Sequence, residues 1–145
     1  MNNWIYQGLK FEPDEPFTFE RYGKDWYGFV YCITNRATNK KYIGKKFFWK
    51  PKTLPITKKR KRRQRLKVES DWRTYYGSNK HLQEDVLEMG EDFFYREIIY
   101  LCKTKGECAY YEAKEQFDKE VLLSENYYNG IINCRIGGNA VKNLK

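Results

Sequence analysis

Metal-binding and cross-linking residues are scarce in this sequence. One histidine and four cysteines occur in 145 residues. The cysteines, Cys32, Cys102, Cys108 and Cys134, are scattered and form no Cys-x-x-Cys pair. A structural zinc site needs closely spaced thiol or imidazole ligands, so the sequence argues against a zinc-stabilised fold. Isolated thiols read instead as buried, reduced side chains of a cytoplasmic protein. Long apolar runs are also missing, and none approaches the length of a membrane span, so no membrane partner is expected. The opening residues, Met-Asn-Asn-Trp-Ile-Tyr, lack the basic stretch and apolar stretch of a secretory signal. Proline occupies four positions, Pro13, Pro16, Pro51 and Pro55, and excludes continuous helix only around those.

Aromatic residues and positive charge are what the chain has instead. Aromatics are 18% of residues, with 13 tyrosines, which points to an aromatic-rich core. The length suits a single domain over residues 1–145. Within it, residues 1–25 read as an extended arm that drapes aromatic side chains over the domain or forms a dimer contact. Residues 26–132 read as the core, with a basic insertion at 45–71, and 133–145 as a loose tail. The net charge of +9 and the pI near 9.3 favour a polyanionic partner.

That charge is concentrated. Lys58, Lys59, Arg60, Lys61, Arg62, Arg63, Arg65 and Lys67 fall within ten residues that contain no acid. Without these eight the net charge is +1. Such a run reads as a solvated loop, a nuclear-localisation signal or a nucleic-acid-binding segment. Disorder in the free chain is compatible with binding. Each cation that neutralises a phosphate releases a counterion, so binding of this kind weakens as salt rises. Phe47, Phe48 and Trp49 precede the run. They suit either stacking on bases or the core, and the core is favoured for the two phenylalanines.

Tyr27 to Lys46 reads as two strands and a polar turn. Tyr27, Phe29, Tyr31 and Ile33 alternate with Gly28, Val30 and Cys32, so this strand is expected to be buried on both faces. Asn and Thr fill the turn from Thr34 to Lys40. The second strand is expected at Lys41 to Ile43. Gly44 follows it, which predicts a positive φ or a close approach to the backbone. Further on, Leu82, Val86 and Met89 predict a helix capped by Ser78 or Asn79 and stopped at Gly90. Phe93 to Cys102 reads as a third strand. Thr104-Lys-Gly-Glu107 fits a capping box that opens a second helix. Its apolar stripe is read as Ala109, Tyr110, Ala113, Phe117 and Val121, with Glu112 at the margin and Glu115 facing water. The expected class is α+β, with a three-stranded, mainly antiparallel central sheet flanked by helices.

The tripeptides Phe29-Val30-Tyr31 and Tyr42-Ile43-Gly44 resemble the signature of the GIY-YIG nuclease family. The second half matches outright; in the first half the glycine is displaced to Gly28. Tyr75-Tyr76-Gly77-Ser78-Asn79 and Tyr110-Tyr111-Glu112-Ala113 are also similar to phrases in small phage-type members related to homing endonucleases. The resemblance covers about Tyr27 to Ile132. It implies a metal-dependent DNA endonuclease, acting in the host cytoplasm if a phage encodes it. Tyr31 and Tyr42 then match the signature tyrosines. Glu112 matches the glutamate that holds Mg²⁺ or Mn²⁺, with Glu115 as the other alignment, and Asn129 matches the asparagine after that helix. The family's arginine has no clear counterpart. Lys45, Lys46, Arg60, Arg63 and Arg65 are candidates, and Lys46 is preferred because a strand end is rigid.

The implied reaction is hydrolysis of a DNA phosphodiester, double-stranded DNA being the preferred substrate. Tyr31 is the preferred proton acceptor or relay and Tyr42 orients water or phosphate. A phenol titrating near pH 10 is a poor base, so the lysines after Gly44 are expected to lower it. Two alternatives stay open: a catalytically inactive nucleic-acid-binding module on the same fold, and a small RNA-binding or ribosome-associated protein. Site specificity would come from the basic run (Lys45 included) or from a homodimer.

Overall fold

A computed structural model of the chain describes residues 2–59 and 61–145. Arg60, one of the expected DNA-binding cations, lies outside the described residues. Strand β3 (Gly28–Asn35) is central. Phe29, Tyr31 and Ile33 line one of its faces and Val30 and Cys32 the other, so both faces need cover. Its antiparallel neighbours are β4 (Lys41–Phe47) and β7 (Phe94–Cys102). An N-terminal hairpin of β1 (Trp4–Tyr6) and β2 (Leu9–Lys10) adds to β7, with β1 parallel to it. The sheet order is β2-β1-β7-β3-β4. A separate two-stranded ribbon pairs β5 (Trp49–Leu54) with β6 (Gln64–Glu69). The helices are α1 (Phe19–Tyr22), α2 (Lys80–Met89) and α3 (Lys105–Asp118).

The fold is α+β, but the sheet has five strands and is mixed rather than three-stranded. The extra strands come from residues read as an arm, and Trp4 shows why they are held. Its indole is buried, packs edge-on against Phe29 and Tyr31 at 4.9 and 5.3 Å, and donates to the Trp72 carbonyl at 2.7 Å. An aromatic of this size stabilises most when its ring is inside and its N–H is paired. Pairing with β7 puts it there.

Strand β4 also runs past the expected Ile43 to Phe47, because Gly28 to Tyr31 continue to offer it partners. A Cβ on Gly28 would lie 2.7 Å from the Lys46 carbonyl oxygen and 2.9 Å from Cys108 Sγ. The displaced glycine is thus where both β4 and α3 close tightly on β3. One core joins Phe29, Tyr31 and Ile33 to Phe48, Trp72 and Leu82; a smaller one joins Val30, Ile43, Cys102, Cys108 and Val121 beneath α3. The cysteines are unbridged. Cys102 and Cys108 are buried, but Cys134 is exposed, contrary to expectation.

The caps form as the sequence predicts. Asn79 accepts from the Leu82 N–H, and Thr104 from the Glu107 N–H. The stripe on α3 is rotated, however. Tyr110 and Phe117 are exposed, whereas Cys108 and Gln116 are buried. Spaced four residues apart, 108, 112 and 116 share one face, so Glu112 lies within the sheet-facing stripe and not at its margin. The final residues, read as a loose tail, form 3-10 turns over Gly138–Leu144 beside α3.

Candidate active site at the edge of the sheet

Register brings the two signature tyrosines together. Tyr31 lies opposite Gly44, and Tyr42 is two residues before Gly44, on the same face. A Cβ at Gly44 would sit 2.5 Å from the Tyr31 hydroxyl oxygen. Without one, the Tyr31 ring reaches across β4, and its centroid is 6.1 Å from that of Tyr42. Of the two possibilities read for this glycine, close approach is the one that applies.

The segment after the ribbon closes over the phenols. Tyr75 packs edge-on against Tyr31 at 6.0 Å, and Ser78 Oγ is 3.0 Å from the Tyr42 hydroxyl. Arg96, buried between Trp4 and Tyr76, donates to the carbonyls of Arg73, Tyr75 and Asn2 at 3.1, 2.8 and 2.6 Å. Its guanidinium fixes the path of residues 73–75. Lys46, beyond Gly44 on the phenol face, pairs with Asp71 at 2.6 Å and lies 4.1 Å from the Tyr75 ring centroid. The Lys46 bond holds the Asp71 carboxyl below its ordinary range.

Glu112 arrives from the α3 side. Lys45 points to that side, and its Nζ is 3.0 Å from Glu112 Oε1. The Glu112 side chain keeps 13% of its surface exposed. Its charge is among the smaller influences that raise both the Tyr31 and Tyr42 pKa values. Glu115, expected to face water, instead accepts a bond from the Tyr100 hydroxyl at 3.1 Å and is partly covered.

The phenols are not activated as bases. Burial, followed by the neighbouring Tyr75 and Tyr42, pushes the Tyr31 hydroxyl well above its ordinary pKa of 10.0. Burial raises Tyr42 as well. The lysines expected to lower them are engaged by Glu112 and Asp71. Tyr31 has no exposed surface, while Tyr42 keeps some. Both are therefore protonated at neutral pH, and Tyr42 is the one within reach of solvent.

Asn129 has a different place from that of a group touching substrate. It is buried, its Oδ1 accepts from the Ile43 N–H at 3.0 Å, and its Nδ2 donates to the Ile43 carbonyl at 2.7 Å. Gln116 Nε2 donates to the same carbonyl at 2.9 Å. Together they clamp β4 between Tyr42 and Gly44. Lys58, Lys59, Lys61, Arg62, Arg63 and Arg65 are exposed on the ribbon and its turn. Lys67 lies over the rings of Phe19 and Tyr27 at 4.8 and 4.7 Å.

The family described as "Putative endonuclease segE, GIY-YIG domain" matches residues 4–132. The chain belongs to this GIY-YIG family. Enterobacteria phage T4 has a relative, "Putative endonuclease segE", 34% identical over 103 residues. The match covers 71% of this chain and 40% of that protein, so the chain spans less than half of the relative's length. No solved structure matches.

A GIY-YIG domain implies a divalent cation, and the donor set here fits one. Among the described residues no three His, Cys, Asp or Glu side chains gather into a metal cage. Mg²⁺ does not need a cage: it keeps several waters and binds through one or two carboxylates plus substrate phosphates. Glu112 would supply one such carboxylate, which here is paired with the Lys45 ammonium. Sequence reasoning missed Asp71 as a site residue, and Tyr75 and Ser78 as its cover. Tyr75 and Ser78 lie in the Tyr75 to Asn79 phrase, read only as resemblance, whereas Asp71 lies outside it and had no such signal.

Proposed function

We propose that this GIY-YIG domain is an endonuclease that hydrolyses phosphodiesters of duplex DNA, using one divalent cation, Mg²⁺ or Mn²⁺, held by Glu112. What supports this reading is the approach of Tyr31 to Tyr42 over Gly44 of β4, with Glu112 tied to the same strand through Lys45. When bound, the cation stabilises charge on the phosphate and the leaving oxygen. Glu112 holds it after releasing Lys45, whose ammonium then pairs with a DNA phosphate. Lys46 takes the place of the family's arginine. The Tyr42 hydroxyl orients the attacking water. Tyr31, protonated and covered, works as a relay: it accepts the water's proton only as its own passes to the half-buried Tyr75 hydroxyl, which in turn gives its proton to solvent. The water oxygen bonds to phosphorus and one bridging P–O bond breaks. The setting would be the cytoplasm of a phage host, and a homodimer would place one site on each strand.

Relaxation of supercoiled plasmid tests this. Wild-type protein with Mg²⁺ or Mn²⁺ is expected to nick or linearise it, and Glu112→Ala to do so at least ~100-fold more slowly, as loss of metal-assisted charge stabilisation implies. Plasmid left intact by both proteins across metals and salts removes the nuclease reading. A DNA-binding module without catalysis is the second reading, favoured by the Lys45 ammonium on Glu112. It predicts intact plasmid and DNA affinity indifferent to the metal.

A further inference from the structure

We infer that the β5–β6 ribbon is a major-groove grip, and that its attachment to the candidate site holds the cleaved phosphate at a fixed distance from the gripped groove. The inference rests on the DNA reading above and adds to it the surface and the groove.

Charge selects the partner. Between residues 50 and 68 the sequence has ten lysines and arginines and no acid, and the rest of the chain has a net charge of −1. The whole basic excess therefore falls within residues 50–68, the stretch that contains the ribbon. Lys50 and Lys52 project from one side of the ribbon and Arg65 from the other, since Thr53 pairs with Arg65 and Lys52 with Leu66. All three are exposed. A membrane-binding surface would pair such cations with an apolar face, which this ribbon lacks over its exposed Lys50–Thr53 edge.

Shape selects the groove. Two strands about 4.8 Å apart, with side chains, are about 10 Å across. The major groove is about 12 Å wide and admits a two-stranded ribbon; the minor groove, about 6 Å wide, does not. Six residues per strand at about 3.3 Å each give a reach of about 20 Å.

The attachment ties the grip to the site. Phe48 and Trp49 are buried at the root, and Trp49 Nε1 donates to the Trp26 carbonyl at 2.8 Å. Ser70 joins the two ends, its N–H donating to the Phe48 carbonyl at 2.7 Å and its hydroxyl to the Phe47 carbonyl at 2.6 Å. Lys46 before the ribbon and Asp71 after it form an ion pair at 2.6 Å. One end of the ribbon thus continues from Gly44, the other into Tyr75. A cleft of about 310 Å³ lined by Lys45, Lys46, Lys50 and Ser70 lies at the root of the ribbon and offers positive charge to a phosphate backbone.

Dimethyl sulfate protection of a short duplex tests the groove. Saturation with Glu112→Gln protein, which does not cut, is expected to shield guanine N7 in the major groove and leave adenine N3 in the minor groove reactive. The triple variant Lys50→Ala/Lys52→Ala/Arg65→Ala is expected to lose that shielding. It should bind about 10-fold more weakly at moderate salt, with a log–log salt slope about 2–3 smaller. A second variant, with residues 55–63 replaced by Asn-Gly, should behave the same way. Shielding of adenine N3, N7 shielding unchanged in both variants, or tighter binding to an RNA hairpin than to the duplex overturns the inference. A wild-type protein that shields N7 but cuts no plasmid supports the grip while the nuclease reading falls.

Discussion

At the scale of single residues, Lys45 and Glu112 form the contact on which the proposed metal site turns. Their ion pair fills the carboxylate that a cation would need. Lys45→Met is expected to tighten Mn²⁺ binding severalfold in the absence of DNA, measured by calorimetry, while weakening DNA affinity. Unchanged Mn²⁺ binding would mean that Lys45 does not compete for the carboxylate. Tyr31 carries a pH prediction. Its folded pKa lies above the ordinary 10.0 because of burial. Its contribution to stability is therefore full below about pH 10 and is lost as pH rises through the folded value. Wild-type protein should lose stability above pH 10 more steeply than Tyr31→Phe. Absorbance titration should show one late-ionising phenol fewer in the variant, with Tyr128, pushed up to about 12 by burial, still late. Equal late-titrating signals in the two proteins would contradict a covered Tyr31.

Among the elements, β4 carries the site and α3 steadies it. Asn129→Ala strips Ile43 of an acceptor and a donor. The expected loss is about 1–3 kcal/mol, the usual range for groups left unpaired inside, read by urea denaturation. Cleavage should fall further than that loss explains, because Tyr42 and Gly44 flank the clamp. Gly44→Ala sets a methyl against the Tyr31 hydroxyl. Overpacking of this kind costs about 1–3 kcal/mol, and displacement of the ring should abolish cutting. Full activity in Gly44→Ala would separate the phenol from the chemistry. The strands, helix caps and the Gly90 stop were legible, since they depend on local periodicity and on side chains that bond their own backbone. The face of α3 was not. Apolar periodicity assumes that polar residues face water, but Gln116 is buried with its amide donating to Ile43, while Tyr110 and Phe117 stay exposed beside residues 134–141.

For the whole molecule, the N-terminal hairpin is part of the framework. Trp4 touches Phe29 and Tyr31, and Asn2 accepts from Arg96 and from the Tyr76 hydroxyl. Removing residues 1–10 leaves a cavity where the indole sat and strips acceptors from a buried guanidinium. Loss of a buried tryptophan alone costs about 3–5 kcal/mol, so the shortened chain is expected to melt at least ~10 °C lower by circular dichroism, as that cost implies for a domain of this size. An unchanged melting temperature would return these residues to the status of an arm.

By itself the sequence determined the local elements, the two tyrosine-bearing strands, the placement of the charge and the family they indicate. Each of these depends on residues near one another in the chain. Tertiary structure alone decided that Lys45 occupies Glu112, that the phenols are covered and protonated, that Asn129 clamps β4, and that the N-terminal hairpin completes the sheet. Those facts depend on groups tens of residues apart. Which polar atoms meet in the interior, and how far burial moves a proton's affinity, follows from packing, on which local pattern is silent.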